Sequence, residues 1–254
     1  MMFERTNLLI GSESVAILQN SRVAVFGLGG VGGMVVESLA RIGIGSFLLI
    51  DGDVVSESNI NRQIIATKDT VGRKKTEVMK ERVLGISSKV KVDLVDIFVL
   101  EENLGDIDFS GIDYVVDAID TITSKLAIAE RCYNEGIKVI SSMGAGNRVS
   151  MDFKIGDIFE SSICPIAKVM RKKLRDKGID SLKVVYSLEA PKGHYGEYDE
   201  ITAKAEDTSV QLSNEDSKQK RVRKTIGSIP FAPMCAGLYL ASEVINDLIK
   251  EKTA

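Results

Sequence analysis

Apolar positions along this chain fall into short runs separated by helical periods. "RVAVFGLG" (22–29) is apolar, β-branched and stops at glycine, as a buried strand does. "VGGMVVESLARIG" follows, with Val31, Val35, Leu39 and Ile42 on one helical face, and "SFLLID" is the second strand. "NINRQI" is loop-like, "RKKTEVMKERVLGI" has the spacing of an amphipathic helix, and "KVKVDLVDIFV" alternates as a strand. "DYVVDAID" is a further buried strand, "SKLAIAERCYNEG" a helix closed by Gly136, and "KVISSMGAG" the next strand. This alternation through about residue 145 predicts βαβ units and a parallel sheet.

The second half changes character. "MDFKIGDI" and "LKVVYSLE" read as strands around a basic helix, "PIAKVMRKKLRDKG". Residues 191–227 are polar with almost no apolar period, and a mobile crossing loop is expected there. "PFAPMCAGLYLASEVINDLIKE" closes the sequence as a helix with small and apolar residues on one side. The fold class expected is α/β: a Rossmann-like doubly wound sheet, mainly parallel, with an antiparallel extension in the C-terminal half. It is expected to form one domain over 1–254, a nucleotide-binding half (1–145) and a substrate and dimer half (146–254).

Composition narrows the setting. Hydrophobic residues make up 44% of the 254 and charged residues 27%, ordinary values for a soluble globular protein. No apolar run approaches the roughly 18 residues of a membrane span, and "MMFERTNLLIGSES", with Glu4 inside its apolar stretch, lacks a signal-peptide layout. Three cysteines, Cys132, Cys164 and Cys235, cannot all pair, which fits a reduced cytoplasmic location. The lack of any CxxC argues against a zinc ribbon. A net charge of −3 supplies no global pull on nucleic acid, so such binding would need a local patch.

The chemistry concentrates after the first strand. Gly27, Gly29 and Gly32 form G-x-G-x-x-G between a strand and a helix. Glycines permit the tight turn and let backbone N–H groups approach phosphate at a helix N-terminus. Asp51 ends the second strand, where a carboxylate can accept ribose hydroxyls. The motif serves NAD and ATP equally. Adenylation, however, must neutralise a triphosphate with cations and a metal-binding acid. Downstream, Asn59, Arg62 and Lys75 lie near the nucleotide edge, and "VVDAID" places Asp117 and Asp120 at a strand's C-terminal end, where open α/β sheets bind ligands. Taken singly, such cations are ordinarily solvated and such an acid ordinarily caps a helix; together they suit a phosphate cage better than a nicotinamide pocket.

"GLGGVGG", "LIDGD", "SNINRQ", "TVGRKKTE" and "VVDAID" in series resemble the adenylating domain of the ubiquitin-activating enzyme superfamily. The resemblance implies that Gly30 contacts the phosphates and Asp51 the ribose. It implies that Asn59, Arg62 and Lys75 hold the triphosphate of ATP and that Asp120 binds Mg2+, with Asp53 and Thr121 in the same nucleotide-binding set. Arg5, in "FERTNLLIG", would match an arginine that reaches the neighbouring subunit's site, which implies a homodimer. Arg5, Arg62, Lys75 and Asp120 are thus the expected catalytic set.

"SSMGAGNRVSMDFKIGDIFESSICPIAKVMRKKLRDKGI", "LKVVYSLE" and "GSIPFAPMCAGLYLASEVINDLI" resemble the tRNA threonylcarbamoyladenosine dehydratases. The implied substrate is tRNA carrying threonylcarbamoyladenosine next to the anticodon. The threonyl carboxylate would be adenylated, and a nitrogen of the same modification would expel AMP and close a ring, with proximity supplying much of the rate. A sulfur-transfer protein is a further expected partner, and no membrane association is expected. Three other readings stay open: an adenylyltransferase for the C-terminus of a ubiquitin-like sulfur carrier, a nucleotide-sensing module without chemistry, and an NAD-dependent oxidoreductase.

The basic helix carries Lys168, Arg171, Lys172, Lys173, Arg175 and Lys177. Arg171, Lys172, Lys173 and Arg175 are the expected RNA contacts, against the reading of a solvated charged face. "KQKRVRK" (218–224) is a second candidate. Cys235 lies among small apolar residues and reads as a buried inert thiol rather than a thioester nucleophile. Cys164 precedes Pro165 at a helix start and is expected to be structural, and His194, the only histidine, shows no base partner in its context.

Overall fold

The structure is a computed structural model that describes residues 2–193 and 226–253. It bears out the expected class. Strands β1 (Arg22–Phe26), β2 (Ser46–Ile50), β3 (Lys91–Val95), β4 (Tyr114–Asp117), β5 (Val139–Ser142), β6 (Phe153–Asp157) and β7 (Lys183–Ser187) form one sheet in the order β3-β2-β1-β4-β5-β7-β6. Every neighbour pair is parallel except β6 with β7, where Phe153 lies opposite Ser187 and Asp157 opposite Lys183. That pair is the antiparallel extension.

Burial on both faces explains the near-continuous apolar strands. Val23 and Val25 of β1, with Phe47 and Leu49 of β2, enter one core with α2 (Gly30–Ile42), α3 (Lys75–Ile86) and α6 (Phe231–Thr253). Ala24, Phe26, Leu48 and Ile50 point the other way, against α4 (Ile122–Glu135) and buried residues of the 99–112 connection. A third cluster seats α5 (Pro165–Asp176) on α4 through Leu126, Met170 and Leu174. The small side of α6 lets it lie close on α2: a Cβ at Gly237 would stand 2.5 Å from the Val31 carbonyl oxygen.

The N-terminal stretch carries an element its pattern did not announce. Residues Glu4–Gln19 form helix α1, broken at Gly11, whose φ is 82°. Ser14, Val15 and Leu18 are buried at its second half. Leu8 and Leu9 on the first half are 84% and 85% exposed, so they carry no core-facing period. Residues 194–225 hold His194, "KQKRVRK" and nearly all of the expected crossing loop; those expectations lie outside the described residues.

Candidate nucleotide site

Strand order reverses between β1 and β4, and the cleft at such a switch point opens at the C-terminal strand ends. Gly27 makes the turn out of β1 with φ 85°, and a Cβ there would meet the Ala118 carbonyl oxygen at 2.8 Å. A Cβ on Gly32 would fall 1.8 Å from the Gly27 carbonyl oxygen, so α2 can start this close to the turn only with glycine. Gly29 is the N-cap and offers no side chain to the first turn. The opening N–H groups of α2 therefore point at the cleft, with the positive end of the helix dipole behind them. Gly30, the first residue of α2, packs against Arg62 and Pro233: a Cβ on it would stand 3.2 Å from the Arg62 carbonyl oxygen.

Asp51 braces this loop from the end of β2. Its Oδ2 accepts the Leu28 N–H at 2.6 Å and its Oδ1 accepts the Asp53 N–H at 2.8 Å. Burial pushes the Asp51 carboxyl above the usual carboxylate range, against the pull of Lys75 and of those two amides. Each carboxylate oxygen retains a lone pair for a hydroxyl. Lys75 begins α3, is buried, and donates to Asp53 at 2.6 Å, while its backbone N–H donates to the Asp53 carbonyl at 3.1 Å. The glycine loop, Asp51, Asp53 and Lys75 are thus one hydrogen-bonded series.

The "SNINRQ" stretch turns tightly. Asn59 is buried, and its Oδ1 accepts the Ser56 N–H at 3.2 Å. Arg62 is half-buried and donates Nη1 to the Ser58 carbonyl and to Asn61 Oδ1, both at 2.9 Å. Gln63 went unassigned in the sequence, although it belongs to the same motif. It is buried, its Oε1 has no hydrogen-bond partner, and a Cβ on Gly29 would stand 3.7 Å from its Nε2.

Asp117 and Asp120 separate. Asp117 ends β4 and is buried, its carboxylate facing Lys125 and Ser141 rather than the cleft. Asp120 is exposed on the following loop, beside Thr121, the N-cap of α4, whose hydroxyl is 3.4 Å from its Oδ1. Among the described residues no group of three or more His, Cys, Asp or Glu side chains is placed to hold a metal ion by itself.

Other expected residues lie elsewhere. Arg5 is exposed on the first turn of α1. On α5, Arg171 is half-buried and gives Nη1 to the Ser161 carbonyl and hydroxyl, both at 2.6 Å. That nitrogen ties α5 to the Ser161 turn. Lys168, Lys172, Lys173 and Arg175 are exposed, with the Arg175 guanidinium 4.9 Å above the Phe159 ring, and Lys177 pairs with Glu130 at 2.7 Å. Cys164 is buried at the N-cap of α5. Cys235 is only half-buried, a correction to the buried reading, and its thiol lies 3.4 Å from the Met151 carbonyl.

Comparison with known proteins places this geometry. A tRNA threonylcarbamoyladenosine dehydratase of Bacillus subtilis is 39% identical over 98% of this chain and 95% of its own length. One from Escherichia coli is 35% identical over 74% of each. A crystal structure of the E. coli tRNA N6-threonylcarbamoyladenosine dehydratase in complex with ATP superposes with a TM-score of 0.83 at 28% identity, covering 99% of this chain and 95% of that one. The ThiF family model matches residues 3–254, and the chain belongs to that family.

Proposed function

We propose that this protein is an ATP-dependent tRNA threonylcarbamoyladenosine dehydratase, which closes the threonylcarbamoyl group beside the anticodon into a ring. The observation that carries the reading is near full-length identity with a dehydratase, at 39%. The glycine cradle adds a built anion site. A threonyl carboxylate oxygen attacks the α-phosphorus of ATP and pyrophosphate leaves. A nitrogen of the same modification then attacks the acyl carbon, the bond to AMP breaks, and one water has been lost overall.

In this reading the N–H groups from Gly29, Gly30 and Gly32 and the amide of Gln63 face the phosphates, and Asp51 receives the ribose. Arg62, Lys75 and Asn59 stand along the phosphate path, with Asp53 fixing Lys75. Asp120 fits Mg2+ well, because its carboxylate is exposed and only weakly engaged. Mg2+ is ordinarily held by one or two carboxylates completed by phosphate and water oxygens; bound there, it would offset the charge of the departing pyrophosphate. Asp117 holds the strand end, and Thr121, at the N-cap position of α4, accepts the Lys125 N–H through its carbonyl behind Asp120.

For tRNA, Lys168, Lys172 and Arg175 repeat at i, i+4 and i+7 on the exposed side of α5 and make the local basic strip that net charge does not provide. Exposed Leu8 and Leu9 beside Arg5 suit a subunit interface, which supports a homodimer in which Arg5 serves the neighbouring site. No helix among the described residues is long and apolar enough to cross a membrane.

The deciding experiment incubates the protein with ATP, magnesium and threonylcarbamoylated tRNA and digests the product for nucleoside mass spectrometry. The expected product is lighter by one water, and AMP forms in step with it. An unchanged nucleoside, or turnover only with a sulfur-carrier protein, would overturn the reading.

A further inference from the structure

A fully buried ion pair lies directly beneath the loop that carries Asp120, and the chemistry above does not use it. Asp117 and Lys125 are each 1% exposed. The Lys125 ammonium donates to Asp117 Oδ2 at 3.1 Å and to Ser141 Oγ at 3.3 Å. The Ser141 hydroxyl donates to the same Oδ2 at 2.6 Å, and Asp117 Oδ1 accepts the Ile119 N–H at 3.1 Å.

These bonds close a ring around Asp120. Asp117 stands at the start of the loop, and its carboxylate fixes the turn through Ile119. Lys125 stands just past the loop's end in the first turn of α4, where its own N–H donates to the Thr121 carbonyl at 3.0 Å. The side-chain pair therefore ties the loop's two ends, and Ser141 of β5 anchors the pair to the neighbouring strand. Ala118, inside the ring, donates its N–H to the Phe26 carbonyl at 2.8 Å and presents its own carbonyl to Gly27. The glycine turn and the Asp120 loop are consequently set against each other by one buried unit.

We propose that Asp117, Lys125 and Ser141 are positioning residues that hold Asp120 where it can share a metal ion with the nucleotide; this deepens, and rests on, the reading of Asp120 as the metal-binding carboxylate. A buried pair is weak as a source of net stability, because desolvation offsets its attraction, but it is demanding in geometry. Removing either the ammonium or the hydroxyl leaves the Asp117 carboxylate with unmet hydrogen bonds. It then has reason to turn, and Ile119 and Asp120 turn with it.

Metal binding is the readout that separates positioning from plain stability. ATP affinity is measured by isothermal titration with Mg2+ and again with EDTA, for the wild-type protein, Asp120→Asn, Ser141→Ala and Lys125→Met. The ratio of the two affinities is the coupling between metal and nucleotide, ordinarily about 5–150-fold between linked ligands. Asp120→Asn is expected to abolish the ratio. Ser141→Ala and Lys125→Met are expected to cut it at least about threefold while leaving affinity in EDTA within about twofold. Ser141→Ala removes one oxygen, and it decides the matter should Lys125→Met fail to fold. A ratio kept in Ser141→Ala while Asp120→Asn loses it would overturn the positioning role alone. A ratio that Asp120→Asn leaves untouched would overturn the metal reading, and this inference with it.

Discussion

Single residues of the site divide by what the protein already does with them. Asp51, Asp53 and Lys75 are bound to one another and to the glycine loop, so each is fixed before a nucleotide arrives. Pre-set donors and charges lose little freedom on binding, a main source of electrostatic catalysis. The cysteines contrast with this. Burial, with the nearby Asp117 and Glu135 carboxylates, pushes the Cys132 thiol up to about 12, and burial together with Asp152 raises that of Cys235. A nucleophilic thiol needs the opposite shift, since the thiolate is the reactive form. Cys235→Ser is therefore expected to retain cyclisation, with kcat/KM within about threefold of wild type, less than about 0.7 kcal/mol in the barrier. Loss of turnover with ATP binding intact would make Cys235 a covalent participant.

Elements show which parts of the sequence carried their own instructions. Strands β1, β2 and β4 were readable because burial on both faces leaves uninterrupted apolar runs, and β3, at the sheet edge, because its exposed Lys91 and Asp93 alternate with apolar positions. Helix α1 was not, because Gly11 breaks it and its outward leucines mimic no core stripe. Nor was the role of Lys125: a lysine in a helix reads as solvated, and its partner Asp117 eight positions earlier sits on another element. On α5 the cations look alike in sequence, and packing alone separates them. Arg171 is drawn inward by Ser161, whereas Lys168, Lys172 and Arg175 stay outward. Changing those three to Glu is expected to weaken tRNA binding at least about tenfold at low salt and to flatten its salt dependence, with ATP affinity unchanged. Arg171→Ala is expected instead to lower the melting temperature, because it leaves the Ser161 carbonyl and hydroxyl without their donor. Equal tRNA affinity for the triple variant and wild type in a gel-shift titration would remove α5 from the RNA surface.

At the scale of the whole molecule, α6 ties the sheet together at the end opposite the cleft. Asp247 accepts the Tyr114 hydroxyl, from the start of β4, at 2.7 Å. Asp247 and Glu243 both receive the Lys183 ammonium, from the start of β7, at 2.7 and 2.8 Å. One helix turn thus links strands on either side of β5, and the opposite edge is left to the loops that bind. Burial alone would raise the Asp247 carboxyl, but Lys183 and Tyr114 outweigh it and hold it below its ordinary value of 3.8. A carboxyl lowered in the folded state contributes stability that is fully present above its unfolded pKa, about 4. That stability is lost as pH falls through the lower folded value. Asp247→Asn is accordingly expected to cost roughly 1.5–3 kcal/mol at neutral pH, the range for hydrogen bonds to a charged group. The gap from wild type should narrow only below about pH 4, where the wild-type carboxylate takes up its proton. Urea unfolding of both proteins from pH 7 down to pH 3 measures this directly. A gap that stayed constant through pH 3 would mean that Asp247 acts by shape and packing instead of charge.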